Sequence, residues 1–75
     1  MEIAEFIEKF RDQLENPNVE LMPETQYATE TYWDSLTAMV VKVMIDDDYN
    51  VDIAPEKMNT FKNIEELFNY IKSQK

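Results

Sequence analysis

The chain contains no cysteine, no histidine and no glycine. Without thiols it has neither disulfides nor a thiolate zinc site, and without imidazole it lacks the commonest general base and metal ligand. Chemistry of those kinds has to arrive on a cofactor or a partner. Without glycine, helix ends that need a left-handed residue must use asparagine, and reversals must use Asn16-Pro17 and the restriction that Pro23 places on its predecessor. Basic residues are scarce as well, 7 Lys and Arg against 16 Asp and Glu, for a net charge of −9. Such a chain repels phosphate backbones and anionic lipid surfaces, which excludes nucleic acid, and is drawn to basic patches on other proteins. No apolar run approaches the ~20 residues that cross a bilayer, and the N-terminus opens on an amphipathic pattern instead of a signal segment. A cytoplasmic protein without a membrane span is expected.

What the chain does have is apolar residues, 44% of its 75 positions, set at helical spacing. That length makes one domain, residues 1–75, whose single core gives only ~3 to 5 kcal/mol without covalent help. The periodicity predicts an all-α fold, three main helices and one short helix, with a long first loop. Residues 2–15 form the first helix, with Ile3, Phe6, Ile7, Phe10 and Leu14 on one stripe and Glu5–Lys9 and Glu8–Arg11 as exposed pairs. A long connection follows, which Val19, Leu21, Met22 and Tyr27 can tie to the core. Tyr32 and Trp33 cover the bundle at its end. Pro55 opens a short helix reaching Met58 or Asn59. Asn63 caps the last helix, with Glu66 completing a capping box. Its buried stripe is Ile64, Leu67, Phe68 and Ile71, and Lys72 and Lys75 sit near its negative end.

The second helix starts at Trp33-Asp34-Ser35-Leu36. Asp34 is a good N-cap, because its carboxylate can accept from backbone N–H groups that have no intrahelical partner. Ser35 then takes the first helical position, beside donors and a dipole end that favour a phosphate, and its hydroxyl can hold one covalently. Asn50 suits the left-handed residue that ends the helix. Between these points the apolar residues form two faces. Ala38, Val41, Ile45 and Tyr49, with Met44 beside them, point to the core. Leu36, Met39, Val40 and Val43 lie on an adjacent side, surplus to a three-helix core, and are expected to be an exposed docking stripe framed by Asp34, Asp46 and Asp47.

Asp34-Ser35-Leu36 before a long amphipathic helix, the acidic run Asp46-Asp47-Asp48-Tyr49, then Val51-Asp52-Ile53, the Pro55-Glu56-Lys57-Met58 turn and a closing segment from Phe61 to Ile71 together resemble the acyl carrier proteins over nearly the whole chain. Peptidyl carrier domains share the resemblance. Where that family usually has a glycine two residues before the aspartate, this chain has Tyr32. The resemblance implies 4'-phosphopantetheine on Ser35, delivered from coenzyme A by a phosphopantetheinyl transferase, with Asp34 orienting the serine and Leu36 contacting the transferase. It further implies a monomer that is not itself an enzyme and has no catalytic residues. Such a carrier holds acyl or aminoacyl thioesters and presents them through its second helix to loading and condensing enzymes with basic docking patches. Pathways that use similar carriers include fatty-acid, polyketide and peptide assembly and surface-polymer modification. In the family an acyl chain can slip between the helices, and here Val41, Ile45, Tyr49, Ile53, Phe61 and Phe68 would line that space.

Three rival readings use some of the same residues. Asp46, Asp48, Asn50 and Asp52 stand at the first, third, fifth and seventh positions of a calcium loop. Val51 and Lys57, however, replace the turn glycine and the closing glutamate, so no metal site is expected. An acidic helical adaptor without a prosthetic group would use the same exposed stripe and charge. An enzyme is the weakest alternative, since its carboxylates have no obvious enclosed pocket to shift their pKa values.

Overall fold

The computed structural model describes residues 2–16 and 18–74. Four helices follow one another, α1 (Ile3–Asp12), α2 (Ser35–Tyr49), α3 (Pro55–Met58) and α4 (Ile64–Ser73), and among the described residues there is no strand. This is the expected architecture of three main helices and one short one. Pro17 and Lys75, assigned above to a turn and to the last helix end, lie outside the described residues.

The first helix stops short of the expected residue 15. Gln13 and Leu14 donate their N–H groups to the carbonyls of Phe10 and Arg11, three residues back, which tightens the last turn, yet Leu14 still reaches the core. The two ion pairs expected within this helix do not form. Lys9 instead meets Asp48 at the end of α2, 3.5 Å away, and Arg11 donates from Nε to the Val19 carbonyl at 3.1 Å. Exposed pairs one turn apart contribute only ~0.2 to 0.5 kcal/mol, so a partly buried tertiary acceptor wins.

The long loop is anchored through its backbone as much as through its side chains. Its carbonyls at Pro23 and Thr25 accept the N–H groups of Glu65 and Ile64, two of the groups that an α-helix leaves unpaired where it starts. Leu21 and Tyr27 are buried, and Val19, Ala28, Tyr32 and Trp33 pack partly against the core. Met22, expected to join them, is 47% exposed. It begins a tight turn in which its N–H bonds to Thr25 Oγ1 and its carbonyl receives the Thr25 N–H; Leu21 takes the inward position. A 3₁₀ turn at Tyr27–Thr29, which periodicity did not signal, carries Tyr27 into the bundle, where its hydroxyl donates to the Met58 carbonyl at the end of α3.

Six aromatic rings then run through the interior. Trp33 stacks on Phe10 at 5.8 Å, and Tyr27 meets both, at 4.7 Å from Trp33 and 5.4 Å from Phe10. Phe10 continues to Phe6 at 6.1 Å, and Phe6 sits against Tyr49 at 5.6 Å and Phe68 at 5.4 Å. Each fully buried ring of this size stabilises the fold by about 1.5 to 3 kcal/mol, and edge or offset geometry adds about 0.5 to 1.5 kcal/mol per pair. Rings thus supply in a chain of this length what disulfides would supply elsewhere.

Candidate functional site

Asp34 and Ser35 occupy the junction at which the loop becomes α2. Asp34 has an extended backbone, φ −141° and ψ −175°, and its Oδ1 accepts the Thr37 N–H at 2.8 Å. Thr37 in turn donates from Oγ1 to the Tyr32 carbonyl at 2.9 Å, so cap and preceding loop are fixed together. The Thr37 backbone N–H holds the Asp34 carboxyl below its ordinary pKa, because the hydrogen bond it donates favours the charged form. Its charge is thereby turned onto the helix start. Ser35, the next residue, begins α2 and is exposed, and among the described residues no protein group hydrogen-bonds to its hydroxyl.

Beside Ser35 runs an open groove of about 690 Å³. Thr29 and Trp33 line it from the loop, Ala38 and Met39 from α2, and Pro55, Glu56 and Asn59 from α3 and its end. Trp33 is half-buried, as expected of a lid over the bundle, and its Nε1 donates to Asn59 Oδ1. The loop and the end of α3 are therefore tied at two successive residues, Met58 through Tyr27 and Asn59 through Trp33.

Along α2 the two apolar faces separate as expected. Ala38, Val41, Met44, Ile45 and Tyr49 are buried, whereas Leu36 (69%), Met39, Val40 and Val43 are exposed. Asp46 and Asp47 are exposed below them. Lys42, on the same helix, is engaged by Asp52 at 2.7 Å, which also raises its pKa. The four positions of the rejected calcium loop are dispersed: Asp48 faces Lys9, Asp52 faces Lys42, and Asn50 adopts φ 59° to end the helix. Among the described residues no three or more carboxylates converge on a point that could hold a metal ion.

A family model for the phosphopantetheine attachment site matches residues 4–71. The chain belongs to the phosphopantetheine-binding carrier family. No curated protein and no solved structure gives a significant match. A 4'-phosphopantetheine carrier is consistent with what the residues offer: an unpartnered hydroxyl, a helix start that favours a phosphodiester, and a groove with apolar walls and hydrogen-bonding edges to receive an amide-containing arm. When bound, the group supplies a thiol that this cysteine-free carrier cannot supply itself. Among the described residues no helix is long and apolar enough to cross a membrane.

The space implied for an acyl chain looks different in the folded carrier. Val41, Ile45, Tyr49, Ile53 and Phe68 are buried together as expected, but Phe6 fills the gap between Tyr49 and Phe68. Phe61 is only partly buried and pairs with Tyr70 at 5.3 Å. Sequence reasoning did not single out Asn59, Glu56 or Thr29 as neighbours of Ser35. No local pattern marks them, since they share the groove with the serine only through the packing of the loop and α3 beside α2. Tyr27 was read as an anchor, but its partner at Met58 was not foreseeable.

Proposed function

We propose that Ser35 is the attachment residue and that the chain works as a discrete acyl or aminoacyl carrier. The observation that carries this reading is the exposed Ser35 hydroxyl at the first position of α2, with Asp34 capping the helix and, among the described residues, no group claiming the oxygen. In the modification, Ser35 Oγ forms a bond to the phosphorus next to pantetheine in coenzyme A. The pyrophosphate P–O bond breaks, adenosine 3',5'-bisphosphate leaves, and the serine proton passes to a base of the transferase. Asp34 keeps the helix start rigid, so the oxygen is presented in one place.

Leu36, Met39, Val40 and Val43 then form the docking stripe, with Asp46 and Asp47 facing basic groups of the transferase and of the loading and condensing enzymes. The net charge of −9 speeds encounter with such partners at low salt. Incubation with coenzyme A and a broad-specificity transferase tests the reading: intact mass should rise by one phosphopantetheine in the wild type and not in Ser35→Ala. A wild type that stays at sequence mass while a control carrier is labelled would leave the acidic adaptor, which its exposed stripe also suits.

A further inference from the structure

Among the described residues no group bonds to the Ser35 hydroxyl, yet each of the three residues before it is held. The Trp33 N–H donates to the Glu30 carbonyl at 3.1 Å, its indole donates to Asn59, and the Asp34 carbonyl receives the Ala38 N–H at 2.9 Å. Thr37 adds two more bonds, and they fall on either side of Trp33. Its backbone N–H donates to Asp34 Oδ1 at 2.8 Å, and its hydroxyl donates to the Tyr32 carbonyl at 2.9 Å.

The first of these bonds is ordinary capping. The second lies outside the cap: it reaches five residues back to a carbonyl of the loop, and it is partly buried. The Tyr32 side chain packs against the core at the same time, so residue 32 is fixed through both its ring and its backbone. Residues 32–37 therefore form a closed stretch with Ser35 inside it. Backbone strain has no share in this, since among the described residues only Asn50 has a positive φ.

Thr37 does not line the groove beside Ser35. It lines a separate groove of about 460 Å³ near the end of α1, together with Tyr32, Leu36 and Val40. Its hydroxyl can thus act on the serine only through the backbone. With that bond gone, rotation at Tyr32 is freer, and the serine oxygen samples positions from which it does not meet the phosphorus of coenzyme A in line.

We infer that Thr37 is a positioning residue for the modification of Ser35: its hydroxyl ties the loop to the first turn of α2 and so fixes where the serine oxygen is presented. The inference rests on the reading of Ser35 as attachment residue.

Single-turnover modification of the full chain, with coenzyme A saturating and the transferase varied in excess, tests it. Thr37→Val keeps the branched shape and loses the hydroxyl. Its limiting rate should fall by about three- to tenfold, the range that loss of one hydrogen bond gives, while the half-saturating transferase concentration stays at the wild-type value. Thr37→Ala should show the same loss although alanine favours the helix, and Thr37→Ser, which restores the hydroxyl, should recover most of the rate. Ser73→Ala removes a similar hydroxyl-to-carbonyl bond, to Tyr70 at the end of α4, and should be modified at the wild-type rate. A wild-type limiting rate in Thr37→Val, an equal loss in Thr37→Ser or Ser73→Ala, or a change confined to the half-saturating concentration would overturn the inference while leaving Ser35 as the attachment residue. A wild type that gains no mass would overturn both.

Discussion

Trp33 and Asn59, 26 positions apart in the chain, are joined by a hydrogen bond from the indole N–H to the side-chain oxygen. The residue before the capping aspartate thus holds the end of α3, and the wall of the groove beside Ser35 depends on it. Trp33→Phe keeps one ring against Phe10 and Tyr27 and loses that bond together with the part of the indole that a phenyl does not replace. We expect it to cost about 0.5 to 1.5 kcal/mol in urea unfolding, with little change in the slope. A loss well above that would mean that the indole's packing, not its bond to Asn59, is what matters.

Removing the Ser35 hydroxyl should separate function from stability. Ser35→Ala is expected to abolish mass gain from coenzyme A while changing unfolding free energy by no more than about 0.5 kcal/mol, since the exposed hydroxyl has no partner among the described residues. Asp34→Ala should behave differently. It removes the bond to the Thr37 N–H and should lower the thermal midpoint and slow modification, whereas Asp34→Asn, which can still cap but carries no charge, should recover only part of the loss.

The exposed stripe on α2 can be altered without touching the core. Leu36→Ser together with Val43→Ser should leave the midpoint close to that of the wild type, because both side chains are more than half exposed. Modification by the transferase at limiting concentration should fall by about tenfold or more, the equivalent of ~1.4 kcal/mol of contact energy. A double variant modified at the wild-type rate would remove this face from the docking reading.

Alkaline pH should destabilise the fold through its tyrosines. Burial raises the pKa of Tyr27 above its ordinary 10.0, with Glu66 adding to the effect, and burial also raises Tyr32 and Tyr49. A phenol whose folded pKa lies above its unfolded value holds its proton more tightly when folded. Its stabilising contribution is therefore fully present below pH 10.0 and is lost as pH rises toward the folded value. Urea midpoints should fall as pH is raised above that point. Tyr27→Phe, which has no proton to lose, should start from a lower midpoint and decline less steeply.

Acid acts in the opposite sense on the cap. The Asp34 pKa is lowered below its ordinary 3.8, so its contribution is present above that value and is lost as pH falls through the folded one. Comparing wild type with Asp34→Asn between neutral and strongly acidic pH should show a wild-type advantage at the neutral end that narrows once the carboxyl is protonated.

The outline of the fold and the start of α2 were legible because both are written in local chemistry. Helical spacing marked the three long helices and Pro55 the short one, Asp34, Asn50 and Asn63 marked helix ends, and the surplus stripe of Leu36, Met39, Val40 and Val43 predicted an exposed face that the fold leaves uncovered. The misses have a different cause. Lys9 and Arg11 found partners outside their own helix and Met22 turned outward, each decided by what packing brought alongside.

By itself the sequence determined that a serine stands unprotected at a helix start in an acidic, thiol-free bundle, since capping and periodicity act over three or four residues. Only the tertiary structure decided what surrounds that serine: a groove edged by Glu56 and Asn59, and an interior closed by rings from four separate segments. Contacts between residues so far apart in the chain depend on how whole helices pack, which no short stretch of residues encodes.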